Sequence, residues 1–318
     1  LAVYTQVSAE ALSAFLKRFD VGELMSAKGI AEGVENSNYL VDTTQGRFIL
    51  TLYEKRVAAD DLPYFMALLD HLADKGLPVP PAIKDRDGRE IHELEGRPAC
   101  LIKFLPGVSV TTPTQIQAQA TGAALSQMHR ALEDFALERP NTMGVDTWQA
   151  QLDRCGPDLN SIHPGLFDSV SRALERILTR WPRHLPPSAI HADLFPDNVL
   201  MLGEEVTGLI DFYFACTDVR AFDLAVTHGA WAFDATGHHY DPAIGDALLR
   251  GYQQSHLLAE DERAALPILA EGAALRFLLS RAWDWLNTPA DALVTRKDPL
   301  AYLRRLDFYA ENGDALFA

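Results

Sequence analysis

The periodicity of the chain changes once, near Pro106-Gly107, and this change limits the possible folds more than any other feature. Before it, apolar residues fall into short runs bounded by turns: Tyr39-Leu40-Val41, residues 47–53 after a Gln45-Gly46 turn, and residues 98–105. Residues 83–94, with Asp87-Gly88 at their centre, read as a hairpin of their own. Two helical patterns interrupt the strands. One covers residues 8–19 behind a Ser suited to N-capping, and one covers residues 60–77, stopped by Gly76, Pro78, Pro80 and Pro81. Beyond Pro106-Gly107 the period becomes helical, at residues 114–132, 167–181, 222–233, 243–258 and 261–286. Only the short apolar runs at 188–190, 199–202 and 206–210 interrupt it. The expectation is an α+β chain of two lobes, strand-rich over residues 1–106 and mainly helical over residues 107–318.

Composition narrows the function classes. A formal charge of −16 without a basic cluster repels nucleic-acid phosphates and anionic membrane surfaces, so neither is an expected partner. The three cysteines, Cys100, Cys155 and Cys216, are far apart and lack CxxC or Cys/His spacing, which argues against a disulfide framework and a zinc site. With no secretory pattern at its start and no apolar run of about 18 residues, the chain is expected in a reducing cytoplasm. His238 and His239 lack a third ligand, and adjacent histidines point apart, so they read as an exposed loop.

The chemistry concentrates in His191-Ala192-Asp193-Leu194-Phe195-Pro196-Asp197-Asn198-Val199, followed by Ile210-Asp211-Phe212. Asp193 precedes Asn198 by five positions, the spacing of a kinase catalytic loop, and a strand, a Gly203-Glu204-Glu205 turn and a second strand lead on to Asp211. Magnesium takes hard oxygen ligands and shares itself with substrate phosphates, a demand that Asn198 and Asp211 meet. Asp193 is then placed to accept the proton of an attacking hydroxyl, while His191, outside the base position, fixes the loop. A glycine-bearing hairpin over residues 29–38 adds backbone N–H groups able to approach phosphate; alone it is a weak signal, and no G-x-x-x-x-G-K-[ST] loop is present.

These motifs together resemble the aminoglycoside phosphotransferase and choline kinase family, small-molecule kinases of bilobal, protein-kinase-like fold. Within it the chain is most similar to bacterial homoserine kinases of the kinase-like type. The likeness is carried by the segment from Gly29 to Tyr39, by Leu50-Thr51-Leu52-Tyr53-Glu54, Gly76-Leu77-Pro78-Val79-Pro80 and Phe104-Leu105-Pro106-Gly107, and by the run from His191 to Asn198. The resemblance implies ATP and Mg2+ as cofactors and phosphorylation of the L-homoserine hydroxyl, a step of threonine synthesis. It implies that Gly29, Gly33, Asn36, Ser37 and Asn38 cover the nucleotide phosphates, that Lys103, Phe104 and Leu105 form the adenine hinge, that Asp193 is the base, and that Asn198 and Asp211 hold the metal. Asp223 resembles the family's structural Asp at the start of a helix behind the site.

The chain departs from the family at two places. Thr51 stands where the relatives carry a phosphate-holding Lys or Arg, leaving Lys55 as a substitute, with Asp60 or Asp61 opening the helix in place of a Glu; Ala192 replaces the Arg after the catalytic His. A zwitterionic acceptor such as homoserine calls for a cation and an anion, which the late helical pattern offers as Arg276 or Arg281 with Asp284. Other small alcohols, such as choline, methylthioribose or an aminoglycoside, and a catalytically silent binding protein of the same fold are the alternative readings.

Overall fold

A computed structural model describes residues 5–30, 36–54, 58–255, 258–288 and 296–318. Gly33 and Lys55 lie outside the described residues. The chain forms two compact units: residues 1–107 with 207–213, and residues 108–206 with 214–318.

The first unit opens with α1 (Ala9–Leu16), whose N-cap Ser8 accepts a bond from the Ala11 backbone N–H. Five antiparallel strands follow: β1 (Leu24–Gly29), β2 (Asn36–Thr43), β3 (Gly46–Tyr53), β4 (His92–Leu94) and β5 (Arg97–Lys103), in the order β1-β2-β3-β5-β4. Helix α2 (Leu62–Asp74) lies between β3 and β4 in the chain. Alternation along a strand sends successive residues to opposite faces. Leu50 and Leu52 of β3, with Ala99 and Leu101 of β5, share a core with Leu12, Phe15 and Leu16 of α1. The intervening Cys100 meets Met66 of α2, sulfur to sulfur at 3.9 Å. With both faces covered, β3 and β5 read as nearly continuous apolar runs.

The hairpin expected within residues 83–94 does not form. The Asp85–Arg89 turn is present, but Ile83 donates to Leu101 O (2.7 Å), and β4 pairs with β5 through a turn at Glu95 and Gly96 (φ 50° and 69°). Both turns form, and the ladder goes to the one that adjoins the longer strand β5.

The second unit contains β6 (Val108–Ser109), α3 (Gln115–Ala131), α4 (Trp148–Cys155), α5 (Leu166–Arg180), β7 (Pro187–Ile190), β8 (Val199–Leu202), the start of β9 (Glu205–Leu209), β10 (Cys216–Val219), α6 (Arg220–Trp231), α7 (Pro242–Ser255), α8 (Glu260–Asn287) and α9 (Leu300–Leu316). The sequence pattern misses α4, α9, β6 and β10. Thr114 caps α3 in a reciprocal box with Gln117. Helices α3 and α7 cross at backbone distance: a Cβ on Gly122 would lie 2.0 Å from Leu248 O, and one on Gly251 would lie 1.9 Å from Gln119 O. Buried over most of its length, α8 is the axis of this unit.

Candidate active site

Strand β7 delivers His191, and β10 pairs with it from Cys216↔Ile190 to Val219↔Pro187. Helix α6 starts directly after β10, so its first turn brings Asp223 to the loop. The fully buried Asp223 carboxylate accepts from His191 N (2.8 Å), Ala192 N (2.7 Å) and His129 Nε2 (3.0 Å). Burial opposes its charge, but the bond and charge of His129, aided by His191, outweigh it and hold the pKa below the ordinary carboxylate value. His129 is itself fixed from behind by Tyr252 OH, 2.7 Å from Nδ1.

Ala192 occupies a left-handed conformation at φ 64°, a strain of ~1–3 kcal/mol for a residue with a Cβ. Both of its backbone polar groups meet buried charges: N–H donates to Asp223, and the carbonyl accepts from Arg276 Nη1. The strained turn aims the next residue. Asp193 is half-buried, its backbone N–H donates to His191 Nδ1 (3.2 Å), and its carbonyl accepts from Phe195 N (2.8 Å) and Asn198 Nδ2 (2.8 Å). Asn198 Nδ2 also lies 3.3 Å from Asp193 Oδ2. Because both acceptors lack hydrogens, the Asn198 amide must point its NH2 at Asp193, which leaves Oδ1 as the face for a hard cation. Trp231 closes the loop from α6, donating from Nε1 to Leu194 O (3.0 Å).

Asp211 lies in the first unit, beyond the end of β9, also at positive φ (64°). Two residues on, Tyr213 OH is 3.2 Å from Tyr53 OH, and burial pushes the Tyr213 pKa up. In the same unit Gly29 ends β1, exposed. Asn36, Ser37 and Asn38 begin β2 with side chains engaged toward β3: Asn38 Oδ1 accepts from Thr51 Oγ1 (2.8 Å), Ser37 Oγ donates to Glu54 (2.8 Å), and Asn36 Oδ1 accepts from Glu54 N (3.4 Å). These side chains tie the strand pair together. Lys103 is exposed at the end of β5, and Phe104 and Leu105 are half-buried, with the Arg47 guanidinium 5.4 Å from the Phe104 ring centre.

The residues expected to bind the acceptor differ in burial and contacts. Arg276 is 2% exposed, bonded to Ala192 O and stacked on Phe277 at 4.6 Å. Arg281 is half-buried, and Asp284 is exposed. His129 went unseen in the sequence, because a single His inside an apolar helical pattern reads as core until its distant partner is known.

Residues 26–271 match the model of the phosphotransferase enzyme family. A homoserine kinase of Zymomonas mobilis subsp. mobilis is 54% identical over 313 residues, covering 98% of this chain and 98% of the relative. One from Nitrobacter winogradskyi is 51% identical over 313 residues, covering 98% and 96%. Among solved structures, an amicoumacin kinase in complex with AMP-PNP, Ca2+ and Ami has a TM-score of 0.73 at 15% identity, covering 96% of this chain and 94% of that one. A microcompartment-associated aminopropanol kinase has a TM-score of 0.69 at 18% identity, covering 98% and 99%. The fold is the α+β, kinase-like fold of these enzymes.

Proposed function

The chain belongs to the phosphotransferase enzyme family, and from that premise we propose that it transfers the terminal phosphoryl group of ATP to the hydroxyl of L-homoserine, giving O-phospho-L-homoserine and ADP. The observation that carries this reading is full-length similarity, at about half of all positions, to relatives named homoserine kinase. The intact Asp193 and Asn198 loop supports catalysis over a silent binding role. In this reading the reaction is a cytoplasmic step of threonine synthesis.

Asp193 takes the proton of the homoserine hydroxyl as it attacks. His191 holds the Asp193 backbone, and Asp223 and Arg276 hold the turn before it. Asn198 Oδ1 and the Asp211 carboxylate are the oxygens we assign to magnesium, whose fit rests on that hard donor chemistry. When bound, the ion neutralises phosphate charge. We assign the nucleotide to the hairpin of Gly29, Gly33, Asn36, Ser37 and Asn38, through backbone N–H groups, and to the hinge of Lys103, Phe104 and Leu105. Gly33 and the substitute cation Lys55 enter this assignment from sequence alone.

The test is ADP release by the purified protein with ATP and magnesium, offered homoserine, choline, methylthioribose and an aminoglycoside in turn. Turnover with homoserine at the highest kcat/KM is expected; turnover with another alcohol alone rejects the acceptor, and none with any rejects the kinase. Asp193→Ala should lower kcat by about 10²–10⁴-fold, and near-wild-type turnover in that variant would remove Asp193 as the base.

A further inference from the structure

Helices α8 and α9 hold a buried polar group that the assignments above do not use. Tyr302, in the first turn of α9, is 2% exposed, and its hydroxyl has no hydrogen-bond partner among the described residues. A buried phenol leaves its desolvation uncompensated unless something bonds to it. Its ring packs on Phe277 at 5.0 Å, and Phe277 packs on Phe195 of the catalytic loop, also at 5.0 Å. Two guanidinium groups approach the Tyr302 ring, Arg281 at 4.4 Å and Arg305 at 4.6 Å from its centre.

The arginines here are not equivalent. Arg305 is committed to backbone carbonyls at Gly229 (2.9 Å), Ala301 (2.7 Å) and Asp234 (2.8 Å). Arg276 gives Nη1 to the Ala192 carbonyl, and its buried Nε has no partner among the described residues. Arg281 makes one bond, from Nη1 to Asp298 O at 3.3 Å, and its other donors bond nothing among the described residues. Burial, with Arg305 beside it, holds the Arg281 pKa below the ordinary arginine value, a condition that an incoming anion relieves. Asp193 is near enough to act electrostatically on both Arg281 and Tyr302.

We propose that Arg281 and the Tyr302 hydroxyl form the subsite for the α-carboxylate of the amino-acid acceptor. Each supplies a donor without a partner among the described residues, the Tyr302 ring reaches the loop through Phe277 and Phe195, Arg281 stacks on that ring, and a guanidinium with an O–H beside it matches the two oxygens of a carboxylate. The inference rests on the homoserine reading and sharpens it: the acceptor is recognised by its carboxylate at Arg281 and Tyr302, and Arg276 serves the loop.

The experiment measures kcat and KM for L-homoserine, for its uncharged amide and for ATP, in wild type, Tyr302→Phe and Arg281→Lys. Tyr302→Phe keeps the ring and removes an O–H that bonds nothing among the described residues, so its thermal melting should match or exceed that of the wild type. Both variants should raise the KM for homoserine by ~10–100-fold, leave the KM for ATP unchanged, and alter kcat/KM for the amide by less than ~3-fold. Equal losses with acid and amide, a loss confined to ATP, or an unchanged KM for homoserine overturns the subsite while the kinase reading stands. Absence of homoserine turnover in the wild type overturns the reading and the subsite together.

Discussion

In the first unit the β2–β3 pair is tied by amide and hydroxyl bonds, Thr51 to Asn38, Ser37 to Glu54 and the Glu54 N–H to Asn36. In the second unit the loop from His191 to Asn198 is gripped by buried charge, with Asp223 on the N–H groups of His191 and Ala192, and Arg276 on the Ala192 carbonyl. The strand pair needs little: its conformation is already set by the antiparallel ladder, and side-chain bonds only refine it. The loop has no ladder and contains a residue at φ 64°, so ions without competing water must hold it. At Ala192 buried charge sits where the backbone must be kept from its preferred shape.

The sharpest way to break this contrast is Asp223→Ala, which strands His129 and two N–H groups in the interior. It should cost about 3–5 kcal/mol in urea denaturation and take most of kcat with it. Arg276→Met, which keeps volume and drops the bond to Ala192, should cost about 1–3 kcal/mol and lower kcat with little change in the KM for ATP. Tests of acid sensitivity separate the buried groups further. His228 is buried on α6, with Nδ1 2.7 Å from Tyr309 OH, and burial lowers its pKa to about 3. The unfolded chain therefore binds the extra proton from about pH 6.5 downward while the folded one does not. Stability at this site should fall by ~1.4 kcal/mol per pH unit below that value, until the folded pKa is reached. The Asp223 pKa is lowered, so its contribution stands above the ordinary value of 3.8 and is lost only as pH falls through the lower folded pKa. Denaturation midpoints of wild type and His228→Phe between pH 7 and 5 should converge on acidification. The smallest effect belongs to the first unit: Thr51→Val removes one bond to Asn38 and should cost about 0.5–1.5 kcal/mol by the same denaturation.

Much of the fold was legible because its signals are local. Ser8 and Thr114 mark helix starts through caps that reach only three residues on, and the apolar period marks the bodies of α2, α3, α5 and α8. The pairing of β4 was not legible, since Asp87-Gly88 is the recognisable turn signal here, while the turn that pairs β4 with β5 puts Glu95 at φ 50°, a conformation its residue type does not announce. Helix α9 hid because its apolar residues serve different neighbours, Tyr302 packing on Phe277 of α8 and Tyr309 on His228 of α6, while its charged ones dilute the period. Within the site, the Asp193 to Asn198 spacing was readable because both residues lie on one short loop, where Asn198 bonds Asp193 directly. Arg276 and Arg281 lie on the same helix five positions apart, and no local signal says which of them meets Ala192.

From its order of residues alone, the chain specified the strand-to-helix change at Pro106-Gly107, the loop bearing His191, Asp193 and Asn198, and the later Asp211. These follow from periodicity and short-range spacing, which need no knowledge of distant partners. Tertiary structure alone decided that Asp223 and Arg276 grip the two sides of Ala192, that His129 stands behind Asp223, and that Tyr302 is buried with an unpartnered hydroxyl among the described residues. Burial and long-range hydrogen bonding are properties of the packed molecule. The same Arg or Tyr becomes a support, a ligand-binding group or an inert surface residue according to what the fold sets beside it.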